Sequence, residues 1–197
     1  MKGNAAVIPM AARFAVLIVA LVLAGCASIT RPPAPSKPPE ANDIHFEVDG
    51  RFAVRYRDEG GSGRIAWVHL PQSDDITISN PLGQGIARIV RRDGVYVLTT
   101  SQGREHSATD PDQLTEQILG WPLPLSGLPF WLRGQPTPGQ PAESSGVNAE
   151  RPTELRQLGW TIEYLSRHSI SGLPERLRIR RDDLDIRLVL EEWRAVQ

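Results

Sequence analysis

The chain has 197 residues, 40% of them apolar, with 22 basic and 23 acidic side chains and a single cysteine. That length suits one domain with a sizeable core. The near-neutral balance gives no electrostatic footprint for nucleic acid, and one cysteine excludes an intramolecular disulfide, so the fold must rest on packing.

Residues 1–25 read as a signal peptide. Lys2 and Arg13 precede the apolar run Phe14–Leu23, which is about half the ~20 residues that a spanning helix needs. Leu23-Ala24-Gly25-Cys26 places small residues directly before a cysteine and a hydrophobic one three positions back. A lipoprotein signal peptidase reads that pattern, so the mature chain is expected to start at Cys26, acylated on its sulfur, with a buried structural cysteine as the alternative. Lys2 and Arg13 are the only charges removed, which takes the formal net charge from −1 to −3. Residues 26–42 form the acylated cysteine and a tether, with Pro32, Pro33, Pro35, Pro38 and Pro39 favouring an extended chain of about 45 Å. In the sorting systems this pattern resembles, an Asp just after the cysteine retains a lipoprotein in the inner membrane. Ala27 and Ser28 stand there instead, which implies lipid anchoring in the outer membrane, with the domain facing the periplasm.

Residues 43–197 are expected to form one domain. Phe46, Val48, Phe52, Val54 and Tyr56 alternate with charged residues, the signature of a half-buried antiparallel strand. Asp58–Gly63 reads as the turn to a second strand over Ile65–Leu70. A break at Pro71–Asp74 precedes a short strand at Asp75–Ser79. Asn80-Pro81-Leu82-Gly83 is then a loop, and Asp93-Gly94 joins strands at Ile86–Arg91 and Val95–Thr100 as a hairpin.

The middle is helical. Thr109-Asp110-Pro111 supplies a capping residue and a proline for the first helical position, Leu114, Ile118 and Leu119 follow at helical spacing, and Gly120 stops the helix. Ser126 is read as the cap of a second short helix through Phe130, Trp131 and Leu132, ended by Gly134. Residues 134–152, rich in Pro, Gly and Ser, read as an exposed loop, functional or mobile. Strands return at Trp160–Tyr164, Leu177–Ile179 and Leu184–Leu190, the last two joined through Asp182-Asp183. The fold class is mainly β with some helix: a curved antiparallel sheet with helices on one face.

Chemistry-bearing constellations are sparse. His45, His69, His106 and His168 show no metal-ligand spacing, so neither a metal site nor another cofactor is expected. His69 reads as exposed or hydrogen-bonded, and the acids as lying along solvent faces. Gly60-Gly61-Ser62-Gly63 lacks the Lys-Ser/Thr of a phosphate loop, no serine has an activating base in evidence, and Arg176, Arg178 and Arg180 read as a solvated stripe. Catalytic residues are therefore not expected.

Several short motifs together resemble the LolB family, the outer-membrane receptor that accepts lipoproteins from the periplasmic carrier LolA. They are Gly50-Arg51-Phe52-Ala53-Val54; Asn80-Pro81-Leu82-Gly83-Gln84 with Ala87-Arg88-Ile89; and Leu119-Gly120-Trp121 with Leu123-Pro124. Leu128 with Trp131-Leu132-Arg133-Gly134, then Gln157 with Gly159-Trp160, and finally Trp193 complete the set. The resemblance implies an incomplete antiparallel β-barrel whose concave face is closed by short helices over an apolar cavity. It also implies a LolA-like partner, acylated lipoprotein cargo, contact with outer-membrane lipid, and a monomer that works without nucleotide hydrolysis. The family usually carries a longer amphipathic helix before the first strand, and Asn42–Phe46 is too short for one.

The resemblance further implies that the loop of Pro81, Leu82 and Gly83 presents Leu82 to the membrane during delivery; the residues alone equally allow Leu82 to fold back on its hairpin. Phe52, Trp121 and Trp131 are candidates for the cavity wall or lid, with ordinary core as the alternative for each. A structural lipoprotein of the envelope and a carrier of free lipid are the competing functions.

Overall fold

The computed structural model describes residues 44–146, 151–194 and 196; Cys26, the signal peptide and the tether lie outside them. The alternation that starts at Phe46 becomes β1 (Phe46–Tyr56), which buries Phe46, Val48, Phe52 and Val54 on one face. It is followed by β2 (Glu59–Leu70), β3 (Ser73–Ser79), β4 (Gly85–Arg92), β5 (Val95–Thr100) and β6 (Glu105–Ala108). Two helices, α1 (Pro111–Leu119) and α2 (Leu128–Trp131), come next. The chain then returns as β7 (Ala142–Ser145), β8 (Glu154–Gln157), β9 (Trp160–Arg167), β10 (Pro174–Arg181) and β11 (Leu184–Arg194).

All eleven strands join one open, curved antiparallel sheet in the order β6-β5-β4-β3-β2-β1-β11-β10-β9-β8-β7. The first half of the chain thus builds outward from β1 by hairpins, and the second half builds outward from β11 on its other side. Four two-residue turns do much of this work. Arg57, Asp93, Leu158 and Asp182 each open one at positive φ, as the right-handed strand twist requires of tight hairpins. Because β6 and β7 are opposite edges, residues 109–141 have to cross a face of the sheet. They cross the inner one, and α1, α2 and the segment between them lie over the core.

Several sequence expectations change in the structure. Asp58–Gly63 is not a turn: the hairpin closes on Arg57-Asp58, and Glu59–Gly63 pair with Phe52–Tyr56 as strand. The glycines there permit close approach and do not bend the chain. A Cβ on Gly63 would stand 2.2 Å from the Ser79 carbonyl oxygen and 2.9 Å from the Phe52 ring. Ser126 is exposed, and Gly127 takes the N-cap of α2 without any side-chain hydrogen bond. The 134–152 segment includes β7, and two further short strands, β6 and β8, were not expected. β6 and β7 are edges without an apolar row, and in β8 the inward partner of Leu155 is a glutamine. Arg178 and Arg180 are engaged across strands, Arg178 with Asp185 at 2.6 Å and Arg180 with Glu163; such half-exposed pairs add little stability.

Candidate functional site

The cover over the inner face is built locally. The Asp110 side chain accepts from the backbone N–H groups of Asp112 (2.9 Å) and Gln113 (3.2 Å), Pro111 occupies the first helical turn, and Gly120 ends α1 at φ 86°. Thr115 is fully buried; its Oγ1 donates to the Pro111 carbonyl and accepts from Leu123 N–H, both at 2.8 Å. That hydroxyl fastens α1 to the segment Trp121–Leu132, in which Ser126 is the one exposed residue. Among the described residues, the backbone hydrogen bonds of 121–135 stay within the segment. Side chains tie the cover to the sheet. At one side, Trp131 Nε1 donates to Gln157 Oε1 (2.9 Å) and Tyr164 Oη donates to the Trp131 carbonyl (3.1 Å). At α1, Tyr56 Oη donates to Glu116 (2.7 Å), and Arg181 stands 3.6 Å from Asp112. Burial pushes the Asp112 carboxyl up to about 6, Arg181 opposing the rise and Asp110 adding to it.

Between cover and sheet lies a small cavity of ≈ 20 Å³ with a wholly apolar lining. Leu123, Leu128 and Leu132 contribute from the cover, Val48, Ile65 and Trp67 from β1 and β2, and Ile179, Ile186, Leu188 and Leu190 from β10 and β11. On this measure a void of roughly 10–15 Å³ holds one water, so the cavity is far short of an acyl chain.

The residues singled out from the sequence fall in three places. Phe52 and Trp121 meet, with ring centroids 5.8 Å apart, at the end of the sheet where α1 finishes. Trp121 also lines a cleft of ≈ 120 Å³ there with Val54, Tyr56, Gly60, Gly61 and Leu119. Trp131 is fully buried and does not line the cavity; it packs against Trp160 at 6.2 Å. The Pro81-Leu82-Gly83 loop is exposed throughout, and Leu82 is 87% exposed. The loop is nonetheless well made. The Asn80 side chain accepts from Leu82 N–H and Gln84 N–H, both at 3.0 Å, and Gly83 N–H returns to the Asn80 carbonyl at 2.9 Å. Asn80 follows Ser79, whose carbonyl lies over Gly63, and Gly63 is paired with Phe52. The loop therefore springs from the same corner as the Phe52–Trp121 contact.

Two buried polar centres escaped the sequence reading. Gln157, only 3% exposed, uses its whole amide: Oε1 accepts from Trp131 Nε1 and Thr137 N–H, and Nε2 donates to the carbonyls of Thr137 and Gln140. Gln157→Leu should lower stability by about 1–3 kcal/mol because it strands these groups, seen as a lower urea midpoint at unchanged slope. An unaltered midpoint would show that the amide holds nothing. The second centre is Asp74, equally buried, which contradicts the expectation that the acids lie on solvent faces. It accepts from Trp67 Nε1 (2.8 Å), from His69 Nδ1 (2.6 Å) and from Arg91 Nε. His69 is thus buried and hydrogen-bonded. Burial acts to raise the Asp74 carboxyl, but the bonds from His69, Arg91 and Trp67 outweigh it and hold the group below the ordinary carboxylate range.

Comparison with known proteins bears on this arrangement directly. Residues 44–193 match the family described as Outer membrane lipoprotein LolB. The chain is 36% identical over 187 residues to the outer-membrane lipoprotein LolB of Chromobacterium violaceum, covering 93% of this chain and 99% of that one. It is 35% identical over 192 residues to the LolB of Dechloromonas aromatica, covering 94% and 98%. Among solved structures, a LolA superfamily protein from Nitrosomonas europaea aligns over 78% of this chain and 87% of its own, at 11% identity and a TM-score of 0.48. With the family match running from Ile44 to Trp193 and relatives aligned over nearly their whole length, the chain belongs to the outer membrane lipoprotein LolB family.

Proposed function

We propose that this protein, acylated at Cys26 and held in the outer membrane, accepts acylated lipoproteins from a LolA-like periplasmic carrier and inserts them into the inner leaflet. The observation that carries this reading is the wholly apolar space under a cover whose described backbone hydrogen bonds, from Trp121 onward, are internal. Cargo chains enter by displacing Leu123, Leu128 and Leu132. Exposing those leucines costs about 1.5–3 kcal/mol each, whereas sheltering a single acyl chain of ~16 methylenes returns about 13 kcal/mol at ~0.8 kcal/mol per methylene. The exchange therefore favours an occupied cavity, and a triacylated cargo cannot cross as a free solute.

The cover opens from the Phe52–Trp121 side and stays attached at Trp131, where Gln157 and Tyr164 grip it. Opening releases the Tyr56–Glu116 and Arg181–Asp112 contacts, which are partly wet and weak enough to exchange. Leu82, beside that mouth, touches the bilayer when cargo leaves. Direction comes from affinities that rise from carrier to receptor to bilayer, with no nucleotide spent. Two or three acyl chains on Cys26 keep the monomer at the membrane, where one chain alone would bind only marginally.

The test is the Cys26→Ala protein, released from the membrane. It should copurify with acylated peptide when expressed with carrier, identified by mass spectrometry, and should deliver cargo to inner- and outer-membrane vesicles alike. Recovery of phospholipid alone would replace this reading with a free-lipid carrier, and an empty protein that binds no lipopeptide would sink both.

A further inference from the structure

Leu82 has a counterpart at the opposite end of the sheet. Ile170 is 89% exposed, at the tip of the turn between β9 and β10. An isoleucine held in water by a slack loop would mean little, but this turn is tightly built. His168 N–H donates to the Leu173 carbonyl and Gly172 N–H to the His168 carbonyl, both at 2.9 Å. His168 Nδ1 accepts from the N–H groups of Ser171 (3.2 Å) and Ile170 (3.4 Å). Beneath the tip the surroundings are cationic. Arg167 donates to the carbonyls of Gly172 (3.2 Å) and Pro152 (2.8 Å), and the Arg151 guanidinium packs against Gly172.

Strand register places this turn. Leu184 pairs with both Tyr56 and Arg181, and Pro174 pairs with Arg167. The β9–β10 turn is therefore at the end where β1 begins, and the Leu82 loop is at the end where β1 finishes. β1 begins two residues after Ile44, the first described residue on the side of the chain that leads to Cys26. An apolar tip with two guanidinium charges behind it suits a bilayer surface with anionic headgroups: the tip enters the interface and the positive charge lies just behind it.

We propose that the Ile170 turn is a second membrane contact, on which the domain rests while its mouth faces the periplasm. This rests on the reading that the Leu82 end delivers cargo. The two tips point along opposite strand directions, so with the strands standing upright on a bilayer only one of them meets it at a time. The 18 residues from Cys26 to Ile44 can span up to about 60 Å, enough for the domain to turn over between the two contacts. Acceptance uses the Ile170-down orientation, and delivery uses the Leu82-down one.

The experiment uses the full acylated chain in vesicles of phosphatidylethanolamine and phosphatidylglycerol, with Ser169→Cys carrying an environment-sensitive fluorophore. Because Cys26 is acylated, the label has one free thiol. Without cargo, a quencher borne on shallow lipid positions should quench the label. Ile170→Ser should shift the ratio of docked to undocked orientations by about tenfold or more, the effect of losing one buried aliphatic side chain. Replacing phosphatidylglycerol with phosphatidylcholine should weaken the quenching, and Leu82→Glu should leave it unchanged. A label that remains in water, that ignores Ile170→Ser, or that is shielded only once carrier is added would overturn the proposal. Normal cargo delivery by Leu82→Glu, with quenching at residue 169 intact, would instead overturn the delivery reading and leave this contact standing.

Discussion

Leu82→Glu is expected to fold like the parent and to pass cargo into liposomes at least about tenfold more slowly. Leu82 is 87% exposed, so its removal takes nothing from the core and the urea midpoint should not move. The loop keeps its shape through Asn80, Gly83 and Gln84, none of which needs the leucine side chain. What is lost is insertion of one aliphatic side chain into lipid, worth about 1.5–3 kcal/mol, together with the cost of bringing a carboxylate to an anionic surface. Each 1.4 kcal/mol is a factor of ten, so the apolar contribution alone accounts for the slowing. Leu82→Met, which keeps the apolar bulk, should deliver at close to the parental rate. The readout is transfer of a labelled lipoprotein from the loaded receptor to vesicles. Equal rates for Leu82→Glu and the parent would remove the loop from the delivery step.

Asp74→Ala is expected to cause the largest loss of stability of any substitution considered, about 3–5 kcal/mol. The carboxylate, on β3, is 3% exposed and serves three donors from two other strands: Trp67 and His69 on β2 and Arg91 on β4. Arg91 also reaches the carbonyls of Leu70 and Pro71 at 3.2 and 3.3 Å, so the centre holds the β2–β3 turn as well. Without Asp74, the indole N–H of Trp67, Nδ1 of His69 and Nε of Arg91 lose their shared acceptor, and Arg91 keeps only the Leu70 and Pro71 carbonyls. Calorimetry on the isolated variant measures the loss. A melting temperature within a degree or two of the parent would show that water replaces the carboxylate.

The same centre contributes to the acid limit of the fold. The Asp74 carboxyl is held below its ordinary range, so it binds a proton less readily folded than unfolded. Its stabilisation is complete above an ordinary carboxylate pKa and is lost as pH falls through the depressed value. Asp112 has the opposite sign. With its carboxyl raised to about 6, the folded protein takes up a proton first, and stability contributed by Asp112 falls as pH rises between about 4 and 6. Urea midpoints should therefore hold or rise from pH 7 to about 4 and drop below it. Asp112→Asn should remove the rise, while Asp74→Ala should shrink the drop, leaving the part due to Asp75 and Asp185, which Arg88 and Arg178 hold low in the same way.

Most of the sheet was legible from one-dimensional pattern. β1 and β11 announce themselves because one face is apolar and the other largely charged, β5 because Asp93-Gly94 marks its hairpin, and α1 because Asp110, Pro111 and Gly120 sit where cap chemistry needs them. The glycine run before Gly63 misled, since a glycine required for close approach looks the same as one required for a turn. The edges β6 and β7 stayed hidden because an edge has no second neighbour to demand an apolar row. The burial of Asp74 and the bonding role of Gln157, which the sequence offered only as part of a motif, stayed hidden for a related reason: a buried polar residue is defined by partners distant in sequence or on another element, and local composition carries no trace of them. The loop of Leu82 could be found from its motif, whereas Ile170 lies in a polar stretch without one, and only exposure marks it.

Periodicity and capping settle which stretches become strands and helices, because those depend on neighbours within a few residues, and the anchor motif at Cys26 is likewise a local signal. The packing of the cover against the sheet is decided at the tertiary level, by the requirement that residues 109–141 pass from edge β6 to edge β7 across the inner face. That crossing brings Leu123, Leu128 and Leu132 against β1, β2, β10 and β11, and creates an apolar cavity belonging to no single segment. It also separates Leu82 and Ile170 to opposite ends, since the direction of each strand follows from its pairing and cannot be read from composition.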